Sequence, residues 1–150
     1  MKVRLCVQEE RYEDIRSLLN QHGIEVDADA ELVLSESGAF ARHLMVKDPA
    51  SNERVILPVE KIFYIEACGH TEEVHTEQVV YHAYDRLYRL QARLDPERFL
   101  RISNSVVIAK KQVRRITPTL SMKFILTMED GKKVDVTRSY YYSFKEAFCI

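Results

Sequence analysis

The sequence predicts a mainly β fold, α+β overall. One or two short helices belong to the larger part, and a small βαβ-like unit precedes them. Three observations carry this. From Arg42 onward, short apolar runs are separated by polar turns at regular intervals. In that part only residues 85–94 keep a convincing helical spacing. Before it, residues 1–40 read strand, helix, strand and are acidic.

The elements follow in order. "KVRLCV", residues 2–7, alternates as a strand. "EERYEDIRSLLNQHG" reads as a helix, with acidic residues in its first turn. Its apolar face is Tyr12, Ile15, Leu18 and Leu19, and Gly23 is placed to end it. "IEVDADAELVLSES" supplies one or two short strands, and the unit ends near Gly38. "HLMVKD" and "RVILPVEKIFYIEA" are strands joined by a turn at "PASN", and Pro58 marks an edge or a break. "GHTEEVHT" turns at Gly69, and "EQVVYHAY" is a further strand. "DRLYRLQARL" is a helix through Leu87, Leu90 and Leu94, with Pro96 just beyond. "FLRIS", "SVVIA", "QVRRIT", "SMKFILTM" and "KKVDVT" are strands. "EDGK" is a hairpin turn with Gly131 in the left-handed region, and "SYYYSFKEAF" closes as a short helix.

The domains expected are residues 1–40, a small acidic unit for dimerisation or docking, and residues 41–150, the main module. At 150 residues the chain is long enough for a real core. No apolar run approaches a membrane span and there is no signal-peptide core, so no membrane insertion is expected. Cys6, Cys68 and Cys149 are too few and too scattered for a disulfide framework, which suggests a cytoplasmic setting.

Enzyme chemistry finds no support. The four glycines form no phosphate loop, and no nucleophile elbow or HExxH is present. His70, His75 and His82 lie five and seven apart, which matches no helical metal pair, so neither metal nor cofactor is expected. Cys68 beside Gly69 and His70 reads as a small edge residue before a reactive thiol. The adjacent Glu72 and Glu73 read as solvated.

Charge is more informative. The net charge is −1, but residues 98–128 contain no Asp or Glu and seven Lys or Arg. Those are Arg98, Arg101, Lys110, Lys111, Arg114, Arg115 and Lys123. Basic side chains at strand ends and loops suit phosphate contact, because each one releases counterions. Asn104 and Arg138 add side chains able to read adenine and guanine edges.

Four segments together carry a resemblance: "KIFYIEACGHTEEVH", "RLYRLQARL", "FLRISNSVVIAKKQVRRI" and "FILTMEDGKKVDVTRSYYYSFKEAF". In this order and spacing, from about residue 55 to 149, the chain resembles the LytTR DNA-binding domain family. The resemblance implies an elongated module of small antiparallel sheets. It also implies a sequence-specific regulator of transcription whose loops enter successive major grooves of double-stranded DNA. Targets would be imperfect direct repeats bound by two copies, so a homodimer is expected. By position the first contact loop holds Gly69, His70 and Thr71, the second Asn104 and the third Arg138. Arg101 and Lys110 would touch phosphates, joined by Lys111 and Arg114 of the same basic run. Ser103 stands where the family usually has His, and Ala109 where it usually has Asn. The N-terminal residues are too few for a receiver domain, so a stand-alone regulator is expected, of a kind often paired with a small membrane protein.

Two other classes fit parts of the pattern. One is a β-rich protein-interaction module with a basic surface for an acidic partner. The other is a single-strand or RNA binder that stacks bases on its tyrosines, against which the C-terminal clustering of Tyr140, Tyr141 and Tyr142 counts.

Overall fold

The computed structural model describes residues 1–36 and 40–150. The expected boundary at Gly38 lies outside the described residues. The chain divides into two compact units, Met1–Phe40 and Ala41–Ile150.

The first unit runs β1 (Lys2–Cys6), α1 (Glu9–Gln21), β2 (Glu25–Val26) and β3 (Leu32–Ser35). Its strands form a parallel sheet in the order β2-β1-β3. Parallel neighbours need a crossover, and α1 supplies it between β1 and β2. Gly23, at φ +76°, ends the crossover helix where an L side chain would be strained. The sheet is too small to bury much. Among the described residues of this unit only Val3 is a buried hydrophobic, while Leu18, Leu32, Val33 and Leu34 are exposed.

The second unit is mainly β. Its first strands are β4 (His43–Lys47), β5 (Arg54–Pro58), β6 (Tyr64–Cys68), β7 (Thr71–His75) and β8 (Val80–Ala83). They are followed by α2 (Leu87–Arg93), β9 (Phe99–Arg101) and β10 (Val106–Ala109). These strands build a seven-stranded sheet in the order β5-β4-β8-β7-β6-β10-β9. A separate three-stranded sheet holds β11 (Val113–Pro118), β12 (Phe124–Met128) and β13 (Lys133–Val136), before the terminal helix α3 (Tyr141–Ala147). Every pairing in both sheets is antiparallel. Pro58 ends β5, which is an edge strand, as a residue without an N–H donor must.

Two apolar clusters fill this unit. One packs Leu87, Leu90 and Leu94 of the α2 region against Leu44, Val46, Ile65 and Val107 of the seven-stranded sheet. The other packs Phe144 of α3 and Phe124, Leu126 and Met128 of β12 against Tyr64, Val106 and Ile108. Strands β6 and β10 therefore serve both clusters, one from each face. This explains why "VVIA" shows no alternation: all four residues of β10 are buried. One expectation is corrected here. Glu72 is not solvated but buried, because β7 is an inner strand and Arg86 lies over it at 3.6 Å. Arg114 and Arg115 lie within β11, in agreement with the strand expected over "QVRRIT", and the register shift between Val113 and Arg115 puts a bulge at Arg114.

Candidate nucleic-acid interface

Three short segments expected to read bases come to one end of the second unit. The first is the β6–β7 hairpin, where Cys68 pairs with Thr71 and leaves Gly69 and His70 as a two-residue loop. Gly69, at φ +61°, takes the first central position, where a type II′ turn requires glycine. His70 is exposed, and Thr71 is half-buried as the first residue of β7. The second segment, Ser103–Ser105, leads into β10. Val106 pairs with Glu66, and the Ala67 N–H donates to the Ser105 carbonyl at 2.8 Å, so this loop runs beside the end of β6. The third follows β13: the Thr137 N–H donates to the Ile102 carbonyl at 3.0 Å, and Arg138 is exposed in the turn after it. Tyr140 closes the arrangement by donating its hydroxyl to Asn104 Oδ1 at 3.2 Å.

That last bond orients the Asn104 amide, leaving its NH2 group and one oxygen lone pair without a partner among the described residues. The loop beneath it is held from the side. Arg101 donates through Nε to the Ser103 carbonyl at 2.7 Å, through Nη1 to Gln91 Oε1 at 2.8 Å, and through Nη2 to the Asn104 carbonyl. The Ser103 hydroxyl also accepts from the Ser105 N–H at 3.2 Å. Arg101 thus braces the loop that presents Asn104. A groove of about 550 Å³ lies beside it, lined by Glu66, Asn104, Lys133, Asp135 and Thr137 among others. The larger groove of about 980 Å³ lies elsewhere, along β5 and Asp130, and includes none of these loop residues.

Lys110 and Lys111 are not brought to this end. They occupy a turn of 3-10 helix immediately after β10, whereas Asn104 precedes that strand. The four residues of β10 rise about 3.3 Å each, which separates its first and last Cα by roughly 10 Å. Around the lysines lie Arg98, whose carbonyl accepts from the Lys110 N–H at 2.9 Å, and Glu60, 3.6 Å from the Arg98 guanidinium. Backbone hydrogen bonding, followed by the charges of Arg98 and Lys111, holds the Glu60 carboxyl below its usual range. A run without acids in sequence is therefore not without acids in space. One further cation flanks the Asn104 end. Phe124 pairs with Val136, so Lys123 stands next to Thr137 in the register. The sequence marks Lys123 only as a charge, Tyr140 only as a stacking candidate in an alternative reading, and Gln91 not at all.

The hairpin face beside these loops carries Glu66, Cys68, Glu73 and His75. The Cys68 thiol donates to Glu66 Oε1 at 3.1 Å. This bond, with burial and the nearby carboxylates, pushes its pKa up to about 11, so it is no reactive thiolate at neutral pH. His75 stacks on Tyr64 with centroids 4.1 Å apart, and burial, then Lys132, pushes its pKa down. Among the described residues, no helix is long and apolar enough to cross a membrane.

The family model described as the LytTr DNA-binding domain matches residues 52–148. The sensory transduction protein LytT of Bacillus anthracis is 27% identical over 92 residues, covering 61% of this chain and 37% of that protein. The transcriptional regulatory protein LytR of Staphylococcus aureus strain N315 is 29% identical over 72 residues, covering 48% of this chain and 29% of that one. The chain thus spans well under half the length of these relatives. A solved LytTr DNA-binding domain, from a Bacillus cereus methyl-accepting/DNA response regulator, superposes with a TM-score of 0.69. That match covers 73% of this chain and 99% of the other at 22% identity, a likeness of fold. With about two thirds of its residues inside the family match and its β architecture shared, the chain belongs to the LytTr DNA-binding domain family.

Proposed function

We propose that this chain is a cytoplasmic transcription regulator that binds double-stranded DNA in a sequence-specific way. Its loops read the major groove of direct-repeat sites. His70, Thr71, Asn104 and Arg138 contact bases. Lys110, Lys111 and Arg114 contact the phosphate backbone from the far end of β10 and the bulge of β11. Arg101 keeps the Asn104 loop in its reading shape and adds positive charge behind it. The observation that carries this reading is the hydrogen-bonded union of the three loops, through Ala67 to Ser105, Ile102 to Thr137 and Asn104 to Tyr140. A free amide edge and a free guanidinium on fixed supports suit bidentate pairing with adenine and guanine.

The experiment compares variants on a site found by footprinting with a random duplex. Asn104→Ala and Arg138→Ala each cost about 1–3 kcal/mol on the specific site and leave folding intact. Lys110→Ala weakens both duplexes alike and lowers the salt slope by about one. If Asn104→Ala and Arg138→Ala both bind as the parent does, the base-reading assignment is wrong.

The first unit joins two copies on a repeated site. What supports this is its small sheet with a free β3 edge and exposed Leu18, Leu32 and Leu34, which are left for a second chain to cover. Pairing there makes the second half-site encounter intramolecular. Sedimentation at micromolar concentration shows a dimer, and deletion of residues 1–40 removes cooperativity on the full site. A monomer with cooperativity unchanged after deletion would rule this out.

A further inference from the structure

Strand β5 is an outer edge of the seven-stranded sheet, and no strand pairs with its free side. The phase of its ladder with β4 is set at both ends. The Asp48 N–H donates to the Glu53 carbonyl at 2.9 Å, and the Val59 N–H to the Arg42 carbonyl at 3.0 Å. In an antiparallel pair, residues that exchange hydrogen bonds alternate with residues that do not. Glu53, Val55, Leu57 and Val59 therefore turn their backbone toward β4, and Arg54, Ile56 and Pro58 turn theirs outward. That leaves the N–H and C=O groups of Arg54 and Ile56, and the Pro58 C=O, without a neighbouring strand. The edge is apolar as well: Ile56 is 65% exposed, and Met45 opposite it is 47% exposed.

This edge borders the groove of about 980 Å³, which Val55, Ile56, Leu57 and Pro58 line consecutively. The charges along the groove are one-sided, with Glu60, Glu77, Glu129 and Asp130 against Lys61. Among the described residues only Glu60 of these acids has an ion pair, with Arg98 at 3.6 Å. Asp130 accepts from the Lys132 N–H at 3.0 Å through Oδ1 and has no partner at Oδ2.

We propose that this groove binds an extended segment of a partner protein, rich in lysine or arginine, which adds to β5 as a further strand. Main-chain hydrogen bonds to Arg54 and Ile56 hold such a segment, and the carboxylates along the groove select its basic side chains. Alternate side chains of an added strand lie beside the exposed Ile56, which suits apolar residues between the basic ones. A second copy of β5 suits the edge less well. Paired about Ile56, it sets Arg54 opposite Pro58, which has no N–H to return, and brings one acidic groove toward another. None of His70, Asn104 and Arg138 lines the groove, so the inference goes beyond the DNA reading and does not rest on it.

The test uses the full chain without DNA. The probe is a fluorescently labelled, acetylated peptide of alternating lysine and valine, compared with an alternating glutamate and valine peptide of the same length. The lysine peptide binds at a single site, at least about tenfold tighter than the glutamate peptide, and its binding weakens as salt rises. It moves the backbone amide resonances of Arg54 and Ile56. Glu77→Gln with Glu129→Gln weakens binding by about tenfold. Ile56→Pro removes an outward N–H that no strand uses, so it leaves the fold intact and abolishes binding. Should that variant fail to fold, a lysine peptide N-methylated at alternate residues asks the same question of the parent, and it binds at least about tenfold more weakly. Equal binding of the two peptides, unmoved Arg54 and Ile56 amides, or full affinity of the N-methylated peptides in both registers would overturn the proposal. Self-association of the chain that Ile56→Pro abolishes, with no peptide bound, would instead assign the edge to a second copy.

Discussion

The 13-residue α1 has no buried residue, while the seven-residue α2 buries Leu87 and Leu90, with Leu94 just past its end. Both show apolar residues at helical spacing. The difference lies in what each helix faces: three short parallel strands in the first unit, seven antiparallel strands in the second. Periodicity marks which side of a helix can be buried. Whether it is buried depends on the area of sheet offered opposite. The first unit thus leaves its apolar side chains exposed, and the second buries its own.

Four substitutions probe that contrast, beginning with the most severe. Phe144, fully buried under β12, carries the second cluster. Phe144→Ala costs about 3–5 kcal/mol in chemical denaturation. A loss below 1 kcal/mol would mean that α3 is not part of the support. Arg101→Ala removes three charge-assisted hydrogen bonds, two to the carbonyls of the Ser103–Ser105 loop and one to Gln91. It lowers stability by about 1.5–3 kcal/mol and weakens specific DNA binding as Asn104→Ala does, read by denaturation and a binding titration in parallel. Val3→Ala, at the buried position of the first unit, costs about 1.5 kcal/mol and leaves the melting of the second unit unmoved. Leu18→Ala, at an exposed position, stays within about 0.5 kcal/mol in dilute protein. A cost that grows with protein concentration identifies a second chain as the cover.

Much of this was legible from residue order. The alternation of "FILTM" and "KVDV", the turn at Gly69 and the break at Pro58 each follow from local chemistry. The mainly β class followed from their sum. Long-range pairing was not legible. Arg101 in an acid-free run reads as a phosphate ligand, and only the folded loop shows the carbonyls of Ser103 and Asn104 within its reach. Tyr140 lies 36 positions from Asn104, a separation no periodicity encodes. Glu60 and Glu66 sit outside residues 98–128 but come close to Arg98 and Asn104 once the strands pair. Glu72 looked solvated because a strand's second face is usually free, and here Arg86 covers it.

Strand β10 is a wall common to two rooms. Val107 and Ala109 face the α2 side, and Val106 and Ile108 the α3 side. Opening either cluster wets the other, so neither can melt alone. The amides of β10 should therefore exchange with solvent only when the whole unit opens, later than those of edge strands β5 and β11. Local breathing is then confined to the rims. The span between Asn104 and Lys110 then keeps a constant length.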